Sequence, residues 1–201
     1  MKQQEMVYRE IACRYINGGK RFTQLELSRA LGLSLSTVNG AVSNLEEINA
    51  VRIGQRSFEV ISLERLLLYW ATMRRIEKDI AYSTRVDEPV KDIEGSMPPE
   101  IAFTSYTAYK LLFKDVPADY SEVYVYAAEK GISEIKRRFS HRAGPPNLFV
   151  LEADKGLGAE IKGGLLKHSS VCPAQVFVDL WNLKAWYAKD FIDALEKRLG
   201  I

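Results

Sequence analysis

Between Thr23 and Leu45 the sequence carries two helix-start signals with only a short segment between them. Thr23-Gln24-Leu25-Glu26 is a capping box: the threonine hydroxyl accepts a hydrogen bond from the amide of residue 26, while the glutamate reaches back. Leu27, Ala30 and Leu31 form the inward face of that helix, and Gly32 ends it after about two turns. Ser34 caps the next helix, whose apolar positions are Val38, Ala41, Val42 and Leu45. A glycine-bearing turn this short forces the two helices to cross steeply, the helix-turn-helix arrangement.

The surroundings agree with that reading. Val7, Ile11, Tyr15 and Ile16 recur at helical spacing in a preceding helix that Gly18-Gly19 stops. After the pair, Ala50-Val51-Arg52-Ile53 and Ser57-Phe58-Glu59-Val60-Ile61 flank Gly54-Gln55-Arg56, which predicts a hairpin and hence a wing. The outward face of the second capped helix reads Ser36, Thr37, Asn39, Gly40, Ser43 and Asn44, short hydrogen-bonding side chains suited to base edges and phosphates in a major groove. Arg52 and Arg56 fall on or beside the wing, where a cation can meet phosphate. Gly40 costs a helix interior about 1 kcal/mol relative to alanine. Either close approach to DNA or tight packing on the first helix accounts for it.

The run from Thr23 through Leu31-Gly32-Leu33-Ser34 to Leu45-Glu46-Glu47 resembles the helix-turn-helix of MarR-like and related winged-helix regulators. The resemblance implies binding to double-stranded DNA. The expected contacts are Thr23, Gln24, Ser34, Ser36, Thr37, Asn39, Gly40, Ser43, Asn44, Arg52, Gln55 and Arg56.

Ser62 begins a further helix with Leu63, Leu66, Leu67, Trp70 and Met73 on one stripe, rich enough to need a partner surface. Packing within the chain and pairing with a second subunit both satisfy it. From Ser83 the periodicity stops, and the prolines and charges up to Pro99 read as a boundary. Beyond it Glu122-Val123-Tyr124-Val125-Tyr126-Ala127 predicts a strand buried on both faces, and Leu148-Phe149-Val150-Leu151 another. Helical stretches follow Thr104 and Gly131, and Pro173 opens the first of two C-terminal helices. The expected fold is α+β: a winged helix-turn-helix over 1–82, a linker over 83–99, and an α/β domain over 100–201 with a short mixed sheet. Ala102-Phe103-Thr104-Ser105-Tyr106-Thr107-Ala108-Tyr109, Val123-Tyr124-Val125 and Cys172-Pro173-Ala174-Gln175-Val176 through Trp181 resemble AbiEi-type antitoxins and related archaeal regulators. That resemblance implies an autoregulating repressor, or a partner for a toxin.

The net charge is only +2, so affinity for nucleic acid must come from a local surface. No apolar run reaches the roughly 18 residues that span a bilayer, and Met1-Lys2-Gln3-Gln4-Glu5 is too polar for a secretory signal. Cys13 and Cys172 each sit in an apolar stretch and read as buried free thiols, hence a cytoplasmic expectation. His141 and His168 stand far apart with no ligand spacing beside them, so no metal is expected. A nucleotidyltransferase needs an Asp-x-Asp pair where this chain has Tyr124-Val125-Tyr126. Asp154 with Glu160-Ile161-Lys162 spells a nuclease triplet but reads as hairpin surface charge, and Gly156-Leu157-Gly158 and Gly163-Gly164 read as turns. The cluster Lys136-Arg137-Arg138 with His141 and Arg142 reads as a solvated helix end, with a second DNA contact or a docking surface for an acidic partner as the alternative. The expectation is therefore a DNA-binding regulator and a homodimer, with no catalytic residue and no cofactor. An antitoxin-like interaction protein is the alternative.

Overall fold

The computed structural model describes residues 2–166 and 169–201; His168 lies outside them. The fold is α+β, and it divides into two compact units. One ends at Arg74 and takes in Glu196–Ile201; the other is Arg75–Leu195.

The first unit contains α1 (Gln3–Ile16), β1 (Arg21–Phe22), α2 (Gln24–Leu31), α3 (Leu35–Glu47), β2 (Val51–Ile53), β3 (Phe58–Val60) and α4 (Leu63–Met73). Helix α3 forms because its apolar residues repeat on one face. Val38, Ala41, Val42 and Leu45 are all fully buried, and α3 packs on both α1 and α2. Leu27 anchors α2, but Ala30, expected inward, is exposed: so short a helix turns only one column of side chains into the core. Gly32 ends α2 in the left-handed conformation (φ 63°), which glycine adopts without a Cβ clash. The strands form a sheet in the order β1-β3-β2, all antiparallel, with Phe22 stacked on Phe58 at 5.6 Å.

The α4 stripe is consumed inside the chain. Leu66, Leu67 and Trp70 are fully buried, and α4 packs against α1. At its end lies a buried polar junction. Glu5 accepts hydrogen bonds from the Lys2 amide and from the Trp70 indole, each 3.3 Å, and faces the Arg74 guanidinium at 3.7 Å. Both charged side chains are almost wholly buried, so each contributes to compensating the other.

The second unit contains β4 (Ile80–Thr84), α5 (Val90–Gly95), β5 (Ile101–Phe103), α6 (Ser105–Phe113), β6 (Val123–Ala127), α7 (Glu129–Arg138), β7 (Leu148–Glu152), α8 (Lys155–Lys162) and α9 (Pro173–Trp181). Helix α10 (Ala188–Leu199) starts in this unit, and its last residues belong to the first. The sheet runs β4-β7-β6-β5, parallel only between β6 and β7, so it is mixed as expected. All five residues of β6 are buried, and Tyr124 stacks on its register partner Phe149 at 4.5 Å. Asp179, fully buried on α9, accepts hydrogen bonds from Thr104 (2.7 Å), Tyr126 (2.8 Å) and Gln175 (2.9 Å). Thr104 thus spends its hydroxyl on Asp179 rather than on capping α6.

Several readings change. The stretch 83–99 is not featureless: it holds the end of β4, which pairs with β7, and helix α5 with Ile93 fully buried. The Asn147 side chain clamps this segment through both the amide (2.8 Å) and the carbonyl (2.9 Å) of Val86. Gly156-Leu157-Gly158 and Glu160-Ile161-Lys162 lie on α8, neither in a turn nor on a hairpin, because Asp154 accepts from the amides of Gly156 and Leu157 and starts a helix there. Cys13 and Cys172, expected as buried free thiols, are both disulfide-bonded and half-buried. Apolar neighbours suit a half-cystine as well as a free thiol, so the sequence could not tell them apart, and the compartment drawn from free thiols loses that support.

Removing one member of a buried ion pair takes compensation away from the other. Glu5→Ala is therefore expected to cost the first unit about 3–5 kcal/mol, read from denaturant unfolding; a loss below about 1 kcal/mol would show that Arg74 is compensated without Glu5. Leu66→Glu is expected to unfold this unit rather than release a folded monomer, which circular dichroism distinguishes.

Candidate nucleic-acid interface

With one face of α3 locked into the core, the opposite face is set. Ser36 and Asn39 on it are exposed, and Gly40 and Ser43 are half-exposed. Both helix starts are capped as the sequence required: Thr23 Oγ1 accepts from the Glu26 amide at 3.1 Å, and Ser34 Oγ from the Thr37 amide at 3.0 Å. The Ser34 and Thr37 hydroxyls also meet at 2.8 Å, so both are occupied in holding the start of α3. Glu26, expected to reach back to Thr23, instead pairs with Arg14 of α1. Asn39 Nδ2 donates to Gln24 Oε1 at 3.1 Å, joining the exposed edges of α3 and α2. Asn44 departs from the outward set. Its amide donates to the Tyr8 hydroxyl at 3.3 Å, and burial pushes that phenol up to about 12, so it stays protonated.

Gly40 no longer has two equal explanations. A Cβ built there meets no described heavy atom within 4 Å beyond the helix's own turns, so packing on α1 does not require the glycine.

The wing supplies the charge that α3, with no Lys or Arg in it, lacks. Arg21, Glu59 and Arg52 stand opposite one another across β1, β3 and β2. Glu59 lies 3.3 Å from the Arg52 guanidinium and 4.0 Å from that of Arg21, so one carboxylate is shared by two exposed cations. The loop at the tip closes with the Gly54 amide donating to the Ser57 carbonyl at 2.8 Å, leaving Gln55 and Arg56 exposed. Between this loop and the starts of α2 and α3 runs a groove of about 360 Å³, lined by Thr23, Gln24, Gln55 and Arg56 together with Leu25 and Leu35. The positive ends of two helix dipoles face it. A second depression of about 270 Å³ contains Arg21, Arg52 and Glu59.

The structure therefore brings Thr23, Gln24, Gln55 and Arg56 into one groove, with Asn39 joined to it through Gln24, and sets Arg52 in the neighbouring depression. Arg21, Leu25 and Leu35 were missed. A strand of two residues has no alternation to read, and a leucine in a helix's first turn looks like core until its exposure is known.

The second unit offers less. Arg138 is paired with Glu134 and donates to the Ser96 carbonyl at 2.8 Å; Arg142 is paired with Asp87 at 2.8 Å; Lys136 lies 5.6 Å from the centroid of the Tyr82 ring. The basic cluster is thus largely engaged within its own unit.

Residues 16–52 match the family model of winged helix-turn-helix DNA-binding domains. Neither the curated proteins nor the solved structures yield a significant match. The chain thus carries a winged helix-turn-helix DNA-binding domain, which supports a DNA-binding regulator; the match does not extend to the MarR-like or AbiEi-type resemblances. Among the described residues no helix is long and apolar enough to cross a membrane.

Gly40→Ala is expected to stabilise the free protein by about 1 kcal/mol, because the new methyl group meets nothing, and at the same time to weaken DNA binding. Thermal melts and binding isotherms of the same preparation test both signs. Unchanged affinity would take the glycine out of the interface.

Proposed function

We propose that the chain is a sequence-specific transcriptional regulator that acts as a repressor and binds its operator as a homodimer. The observation that carries this reading is the division of chemistry in the first unit: a face on α3 of short hydrogen-bonding side chains from Ser36 to Ser43, with no Lys or Arg, beside a basic wing. Base contacts specify and phosphate contacts position, so the two surfaces suit the two tasks. The α4 stripe is occupied within the chain, so the dimer contact belongs to another surface. Catalysis and cofactors form no part of this reading. The second unit serves effector or protein binding.

An antitoxin-like role is the second reading, and exposed aromatic surface on the second unit favours it. Trp186 is 81% exposed and Trp181 is 43% exposed. Tryptophan is enriched where proteins meet. A toxin-type nucleotidyltransferase encoded beside this chain and captured by it, but not by Trp186→Ala, would support that role.

The regulator reading predicts two distinct failures. Asn39→Ala should cost roughly 1–3 kcal/mol on the selected site and much less on random DNA. Arg56→Ala should weaken both similarly and lower the salt slope by about one unit. Affinity against salt for both variants on both duplexes checks this. Identical curves for Asn39→Ala and the parent chain would remove α3 as the reader.

A further inference from the structure

The groove between the helix starts and the wing has a floor that phosphate binding does not explain. Leu25 and Leu35 are each 50% exposed and line it together with Ile53. They occupy the first turns of α2 and α3, where the inward positions are taken by Leu27 and Val38. Two large apolar side chains thus remain in water at the mouth of a groove. Among the lining residues Arg56 bears the one charge, and Gln24 and Gln55 contribute neutral amides. No carboxylate is among them.

The occupant this lining fits carries anionic edges, hydrogen-bonding groups between them and small apolar projections. The major groove of double-stranded DNA has that composition, and its apolar projection is the C5-methyl of thymine. The sequence spacing adds a positional argument. Leu35 and Asn39 are i and i+4 on α3, hence neighbours on one face, and Asn39 is tied to Gln24, the residue before Leu25. The leucines and the amides therefore form one continuous patch with apolar and polar readers side by side.

We infer that Leu35, flanked by Leu25, reads thymine through its 5-methyl group next to the base pair that Asn39 contacts; this rests on the DNA-binding reading above. It makes Leu35 a specificity-determining residue and sets apart a part of the site that contributes no salt dependence.

The full chain selects its preferred site from a random duplex pool. That duplex is then made with each thymine in turn replaced by uracil, which removes only the methyl group. Wild type is expected to lose about fourfold in affinity at one or two thymines, the effect of one methyl-sized group withdrawn from water. Leu35→Ala should bind thymine and uracil duplexes equally at that position, and Leu35→Met should restore the difference. Leu35 is half exposed, so thermal melts of both variants should match wild type. A selected site at which no thymine responds to uracil overturns the inference and leaves the DNA reading intact. So does a Leu35→Ala variant that still discriminates as wild type does. A chain that selects no site overturns both.

Discussion

The rotation of α3 about its own axis is the constraint on which the rest of the interface depends. Four apolar residues on one face, all withdrawn from water against α1 and α2, hold that rotation. Burying a side chain of Val or Leu size is worth roughly 1.5–3 kcal/mol, so turning the helix to any other angle would cost several such contributions at once. The exposure of Ser36 and Asn39 follows from that burial. The helix caps at Thr23 and Ser34 then place both helix starts at the same groove.

Charge is arranged locally, as a chain of net charge +2 requires. The exposed face of the recognition helix carries no Lys or Arg and is uncharged until Glu46 and Glu47 at its end, whereas the wing concentrates Arg21, Arg52 and Arg56 on short strands and a tight loop. Glu59 between two guanidinium groups moderates this field and orders both side chains. Exposed ion pairs of this kind add little stability, so its effect falls on the positions of the cations rather than on folding. Elsewhere the same chemistry is used for the opposite purpose. Glu5 with Arg74, and Asp179 with Thr104 and Tyr126, are buried and paired, and they bind together elements far apart in sequence.

The first unit is largely legible in the sequence because its signals are local. Caps, a terminating glycine and a hairpin loop all act within a few residues, and the buried face of α3 matches the periodicity of Val38, Ala41, Val42 and Leu45 residue for residue. The misreadings have non-local causes. Strand β4 was hidden because its pairing partner β7 lies more than sixty residues away, and α5 because six residues are too few to show a period. Asn44 looks outward on a helical wheel, yet α1 brings Tyr8 within reach of its amide.

The sequence by itself determined the helices and the hairpin of the winged unit and which face of α3 is apolar, since periodicity and capping chemistry are written residue by residue, and it carries the helix-turn-helix pattern whose resemblance implies DNA as a partner. Tertiary structure decided which polar groups are left free. It engaged Asn44, Thr104 and the α4 stripe within the chain, tied Asn39 to Gln24 at the surface, and left Gly40, Arg56, Leu25 and Leu35 facing outward. Whether a side chain keeps its hydrogen bonds and apolar surface for a partner depends on what packs beside it, and that neighbour comes from elsewhere in the chain.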